Sequence, residues 1–144
     1  MTISAPAISV LLVDDNLGLG KPLSARLEEE GMLWRGQLAR VDFLRVHVSA
    51  ECPEVNIVLL DLDMPGKDPL QELVEFSSAC PSVSTIIFSG YYTKELVEAA
   101  VRSGARGYVC KIDGVDALVE GINAVMDGQT YLSPQARSVR AIED

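Results

Sequence analysis

Four places in the sequence set polar or charged side chains directly after an apolar run. Asp14 and Asp15 follow Ile8-Ser9-Val10-Leu11-Leu12-Val13, and Asp61 follows Asn56-Ile57-Val58-Leu59-Leu60. Ser89 closes Val83-Ser84-Thr85-Ile86-Ile87-Phe88, and Lys111 closes Gly107-Tyr108-Val109-Cys110; Asp63 and Gly66 lie on the loop after Asp61. If these ends meet, several carboxylates share one site and repel one another, a cost relieved by raised pKa values or by a divalent cation. A donor set made only of hard oxygens suits Mg²⁺, which favours octahedral oxygen ligation and keeps several waters, over zinc or copper. Such an ion would screen the approach of a phosphoryl group to an aspartate nucleophile. Lys111 and the Ser89 hydroxyl would supply positive charge and a hydrogen-bond donor for its oxygens. The chemistry is that of a phosphoryl acceptor.

For these ends to meet, the runs must be neighbouring strands. They are continuous rather than alternating, which suggests strands buried on both faces in a parallel sheet covered by helices. In such a sheet the functional crevice lies beyond the carboxyl ends of the strands. The segments between carry helix punctuation. Asp68-Pro69-Leu70-Gln71 places an N-cap acid, a proline at the first helical position and a capping-box Gln, with Pro81 past the far end. Thr93 caps a helix running to about Ser103 with Gly104 as its stop, and Asp113 caps another ending at Gly128. Asn16 can cap the first helix, which carries Leu23 and Leu27 inward, but Pro22 would kink that helix or delay its start. Met32 to Cys52 has weak periodicity, and Phe43, Val46 and Val48 suit either state; it reads as strand near Met32–Gln37 and helix near Val41–Ala50. Strand and helix thus alternate, as in a doubly wound α/β domain.

The chain of 144 residues is one domain long, and 48% hydrophobic with 23% charged residues is ordinary for a globular protein. A net charge of −9 argues against stand-alone nucleic-acid binding, which needs clustered cations. No apolar run approaches the roughly 20 residues of a membrane span, and Met1–Ala7 lacks the basic flank and apolar core of a leader, so a cytoplasmic location is expected. Cys52, Cys80 and Cys110 cannot all pair within one chain, and none sits at metal-ligand spacing with another or with His47. They read as small buried hydrophobes. His47 reads as an exposed or core-edge helix residue, and Trp34 as core or sheet edge.

The motifs Val10-Leu11-Leu12-Val13-Asp14-Asp15-Asn16, Leu59-Leu60-Asp61-Leu62-Asp63-Met64-Pro65-Gly66, Ile86-Ile87-Phe88-Ser89-Gly90 and Gly104-Ala105-Arg106-Gly107-Tyr108-Val109-Cys110-Lys111 resemble, in order and spacing, the receiver domain of two-component response regulators, over roughly Ile8 to Asp127. The resemblance implies a flavodoxin-like five-stranded parallel sheet of order 2-1-3-4-5 with helices on both faces. It makes Asp61 the phosphorylated aspartate, Asp15 the direct Mg²⁺ ligand, Asp14 a ligand largely through water, and the Asp63 backbone carbonyl the remaining protein ligand. Ser89 would hydrogen-bond the phosphoryl group and Lys111 would pair with it. Tyr108 would be the aromatic switch residue, its ring turning inward as Ser89 is drawn to the phosphate. Asp63 and Tyr91 stand at the positions that influence phosphoryl lifetime in the family. The donor would be a histidine kinase or acetyl phosphate, with phosphotransfer and hydrolysis catalysed by the domain itself.

Ala117 to Pro134 is similar to the last receiver helix and exit of NarL/LuxR-type regulators, in which a helix-turn-helix DNA-binding domain follows a linker. Residues 1–132 are therefore expected to be the receiver and 133–144 the start of that linker, with DNA bound only through a further domain. Phosphorylation would change the surface that controls dimerisation of two copies or contact with that domain. The sequence departs from the family in Pro22 and in about two extra residues before Pro53-Glu54-Val55. Two other readings compete with this one. Asp61-Leu62-Asp63 also resembles the first motif of haloacid-dehalogenase-type phosphatases, but that family has no Asp-Asp strand before it and does not follow the second Asp with Met-Pro. A receiver-like binding module that is never phosphorylated would not need the full set of side chains.

Overall fold

The computed structural model describes residues 6–50 and 54–142, so Cys52, Pro53, the first five residues of Met1–Ala7 and the terminal Asp144 lie outside the described residues. Strands β1 (Ser9–Val13), β2 (Leu33–Leu38), β3 (Ile57–Leu60), β4 (Ser84–Ser89), β5 (Gly107–Cys110) and β6 (Tyr131–Leu132) alternate with helices α1 (Gly20–Glu29), α2 (Leu44–Ala50), α3 (Pro69–Ala79), α4 (Lys94–Ser103) and α5 (Gly114–Met126), and α6 (Pro134–Arg140) follows β6. All neighbouring strands are parallel in the order β2-β1-β3-β4-β5-β6. The expected order 2-1-3-4-5 stands, but the sheet has six strands rather than five. The sixth is two residues long, too short to carry any periodicity, and adds to β5 through Gly107–Tyr131 and Tyr108–Leu132 pairing.

The uninterrupted apolar runs are explained by two cores. Leu11, Val13, Val58, Leu60 and Ile87 face helices α2, α3, α4 and α6, where they meet Val48, Leu73, Phe76, Val97 and Ala136. Val10, Leu12, Ile57, Leu59 and Ile86 face α1 and α5, meeting Leu23, Leu27, Leu118 and Ile122. Every residue of β1, β3 and β5 is buried. Trp34, on the edge strand β2, packs against the second core, as a sheet-edge residue should.

The caps explain where the helices begin. Asp68 accepts from the Leu70 amide with Pro69 at the first helical position, and Thr93 accepts from the Leu96 amide while Gly104, at φ 114°, ends α4. Pro22 delays rather than kinks: Asn16 caps a 3₁₀ turn over Leu17–Leu19, and α1 starts only at Gly20, which leaves Pro22 in the first turn, where a missing N–H costs no hydrogen bond. Residues Val41–Phe43 are likewise a 3₁₀ turn ahead of α2. Asp113 stands at the start of α5 but makes no cap there; its carboxylate accepts from the Gln135 amide in α6 at 2.9 Å.

That last contact belongs to a general feature of residues 131–140, which overlap the stretch 133–144 expected to begin a linker: they fold back against β5. Ala136 is fully buried in the core that holds Tyr108. The Ser133 amide donates to the Tyr108 carbonyl at 3.0 Å, and the buried Ser133 hydroxyl accepts from the Cys110 amide at 2.9 Å. Ser133→Ala leaves that buried amide without a partner and is expected to destabilise the fold by about 1–3 kcal/mol, read from urea unfolding. Cys110 is buried and Cys80 half-buried, both as free thiols, and His47 is half-buried on α2. Among the described residues no helix is long and apolar enough to cross a membrane.

Candidate functional site

The register of the sheet brings the strand ends level. Val13 pairs with Leu60 and Leu60 with Ile87, while Ser89 pairs with Cys110, so Asp14, Asp61, Ser89 and Lys111 emerge around one crevice at the carboxyl edge. The Asp61 amide donates to the Val13 carbonyl at 2.9 Å, and the Asp14 amide to the Leu38 carbonyl at 2.9 Å, which fixes both acids at their backbones. One carboxylate oxygen from each of Asp14, Asp15 and Asp61 lies within 4.8 Å of the other two.

The three acids are not equivalent. Asp14 is fully buried, and both its oxygens are engaged: Oδ1 accepts from the Asn16 amide at 2.9 Å and Oδ2 from Lys111 Nζ at 2.7 Å. Asp15 is exposed. Asp61 is only 4% exposed, and Lys111 Nζ stands 3.9 Å from its Oδ2. Burial raises the Asp61 pKa, helped by the charge of Asp14; Lys111, the Asp63 amide and the Ser89 hydroxyl pull it back down. A buried carboxylate in this balance, beside one lysine and a second buried acid, sits where added positive charge would favour its ionised form. The oxygen-only donor set is of the kind that holds Mg²⁺, and its spacing fits a single small cation.

Ser89 is fully buried at the end of β4, and its oxygen accepts from the Tyr91 amide at 3.2 Å, leaving the hydroxyl proton free to donate. Tyr108 is also fully buried, with its hydroxyl donating to the Tyr91 carbonyl. Its ring therefore occupies the inward position here, and burial pushes its phenol pKa upward.

Two contributors were not legible in the sequence. Gln37 Nε2 donates to the carbonyls of Asp14 and Asn16, at 2.6 and 3.0 Å, and so clamps the loop that presents Asp15. A side chain at Gly20 would run into Gln37, its Cβ falling 2.3 Å from the amide oxygen, so the glycine makes room for the clamp. Phe88 lies under Lys111, with Nζ 5.8 Å from the ring centroid, which adds an attraction that holds the ammonium over the crevice. The signals were the Gln in an otherwise apolar-to-basic strand and the aromatic before Ser89, and neither has meaning until β2 and β5 are placed.

Comparison with known proteins adds a decisive match: the model of the response regulator receiver domain aligns with residues 10–123. The chain belongs to this family. Among curated relatives of the receiver, the glycerol metabolism activator of Pseudomonas putida is 30% identical over 81 residues, covering 56% of this chain and 37% of its own length. The virulence-factor transcription regulator BvgA of Bordetella pertussis is 28% identical over 123 residues, covering 85% of this chain and 57% of its own length. This receiver thus spans between a third and three fifths of those relatives. A crystal structure of a LuxR-family two-component response regulator from Aurantimonas sp. SI85-9A1 superposes with a TM-score of 0.87 at 22% identity, covering 94% of this chain and 96% of that one, and shares the fold.

Proposed function

We propose that the domain is a phosphorylation switch in which Asp61 is the acceptor, serving a transcription regulator whose DNA-binding part is a further domain. The observation that carries this reading is the buried Asp61 carboxylate, with oxygens of Asp14 and Asp15 close by and Lys111 Nζ 3.9 Å from its Oδ2. Mg²⁺ would be held by Asp15, Asp61 and the Asp63 backbone carbonyl, with Asp14 reached largely through water, and when bound it supplies the charge that lets an anionic phosphoryl group approach a carboxylate.

The chain's own residues do the rest. An Asp61 oxygen attacks phosphorus in line, an oxygen–phosphorus bond forms, and the bond to the donor's imidazole nitrogen or acetate oxygen breaks, the leaving group departing with its electron pair. The Ser89 hydroxyl donates to one phosphoryl oxygen and Lys111 Nζ pairs with another. Because Ser89 accepts from the Tyr91 amide and Tyr108 donates to the Tyr91 carbonyl, a pull on Ser89 reaches the ring of Tyr108 through one residue. The phosphoryl group would therefore bias Tyr108 and the adjoining α4 and β5 surface, which controls pairing of two copies or contact with the output domain. The donor would be a histidine kinase or acetyl phosphate in the cytoplasm. Leu17 and Ile112, each 70% exposed in the 3₁₀ turns that hold the residues just after Asn16 and at Lys111, offer it an apolar landing.

The test is incubation of the chain with Mg²⁺ and acetyl phosphate, followed by intact mass. One phosphoryl group per chain, absent when EDTA replaces Mg²⁺, is expected; no Mg²⁺-dependent gain would leave a binding module, and many turnovers on a generic phosphate ester a phosphatase. Mg²⁺ alone at a hundredfold its Kd is expected to stabilise the fold by about 2.7 kcal/mol in thermal or urea unfolding.

A further inference from the structure

A second concave site lies at the opposite edge of the sheet, away from the Asp61 crevice. It is a pocket of about 440 Å³, walled by Val101 at the end of α4, the turn Ala105-Arg106-Gly107 that enters β5, the β6 segment Thr130-Tyr131-Leu132, and Arg137 and Arg140 in the last turn of α6. Its size falls in the ordinary range for small-molecule sites.

The charge inside it is out of keeping with the chain. The protein carries 21 acids against 12 lysines and arginines. Arg26, Arg35, Arg40, Lys67 and Lys111 each sit beside a carboxylate. Arg106, Arg137 and Arg140 do not, nor do Lys21 and Arg102, which lie outside the pocket: no ion pair joins any of these five to a carboxylate among the described residues. Arginines at the end of α6 offset its helix dipole, which accounts for two of the three. That does not account for Arg106, which is on no helix, or for their convergence on one concavity formed only because β6 and α6 fold back over β5. Mutual repulsion of three cations around one pocket in an acid-rich protein calls for an anion. Guanidinium forks match the paired oxygens of phosphate, and the walls of Val101, Ala105 and Leu132 suit an uncharged body attached to it.

We propose that this pocket binds a phosphate group, free or carried on a small organic molecule, independently of phosphorylation at Asp61. The test uses the full chain in EDTA, titrated with inorganic pyrophosphate, with ADP and with adenosine while backbone amide resonances are followed. Saturable shifts centred on Gly107, Thr130 and Tyr131 are expected with the two phosphates and not with adenosine. Arg106→Ala, and Arg137→Ala with Arg140→Ala, should each weaken binding roughly tenfold or more. Arg106→Lys should weaken it too, because an ammonium keeps the charge and loses the fork. Asp61→Asn should bind as the wild type does. Tighter binding of ADP than pyrophosphate assigns an organic phosphate, and the reverse assigns the free anion. Shifts that fail to saturate, that centre on Lys111, or that persist with unchanged affinity in the arginine variants overturn the proposal. These three side chains are exposed, so unchanged resonances in the rest of the spectrum certify the fold of each variant.

Discussion

Asp61→Asn is expected to abolish Mg²⁺-dependent phosphoryl gain from acetyl phosphate while leaving the protein more stable than the wild type at neutral pH. The first half follows from chemistry: a carboxamide oxygen is a poor nucleophile and brings no charge for a cation to neutralise. The second follows from the environment of the carboxylate. Burial and the neighbouring charge of Asp14 raise the folded-state pKa of Asp61 above its unfolded value. Between those two values the folded state keeps a proton that the unfolded chain has lost, so the contribution of this group to stability falls as pH rises through that window. Above it the ionised carboxylate is a standing cost, and asparagine removes it. The advantage of the variant should therefore be larger at pH 7 than at lower pH and narrow as pH falls toward about 4. Paired urea titrations from pH 4 to 7.5, with EDTA present, read it directly. A variant that still gained a phosphoryl group would move the acceptor elsewhere, and one less stable than the wild type at pH 7 would contradict the charge balance drawn for the crevice.

How far the sequence led depends on whether an element's reason for existing is local. The apolar runs of β1, β3, β4 and β5 announce burial on both faces, and parallel strands place their ends level, so the sequence alone groups Asp14, Asp61, Ser89 and Lys111. Caps at Asp68 and Thr93 act on amides two or three residues away and were equally legible. Asp113 shows the limit: it has the residue type of a cap, but its carboxylate serves Gln135, 22 residues on. Gln37 is the same lesson at the site, since its partner Asp14 is 23 residues distant and nothing in the β2 sequence marks it as a clamp. The β6–α6 return could not be read because two residues of strand have no period, and because Ala136, the buried residue that anchors α6, is a lone small side chain among polar neighbours. What it creates is a contact on β5, the strand that carries Tyr108: the Ser133 amide meets the Tyr108 carbonyl and the Ser133 hydroxyl meets the Cys110 amide.

Lys111→Met should produce the largest loss of stability among single changes at the crevice, and Mg²⁺ should recover part of it. Lys111 provides the cation at 2.7 Å from Asp14 Oδ2 and at 3.9 Å from Asp61 Oδ2. Methionine keeps most of the stem packed over Phe88 but leaves two buried acids facing each other with no counter-charge. Breaking a buried pair by removing one partner costs about 3–5 kcal/mol. The lysine is 28% exposed and Asp14 keeps the Asn16 amide, so the lower end, about 3 kcal/mol, is expected in EDTA. Because Lys111 is one of the groups that hold the Asp61 pKa down, its loss lets that pKa rise further, and the variant should lose stability more steeply than the wild type between about pH 4 and 7. Two further measurements separate charge from packing. Saturating Mg²⁺ brings a counter-charge to the same acids, so it should stabilise Lys111→Met more than it stabilises the wild type. Adding Asp14→Asn should cost the variant less than it costs the wild type, since the orphaned charge is gone. If Mg²⁺ gave both proteins the same increment and the two substitutions were additive, the lysine would be a packing residue at a strand end, and the electrostatic account of the crevice would fall with it.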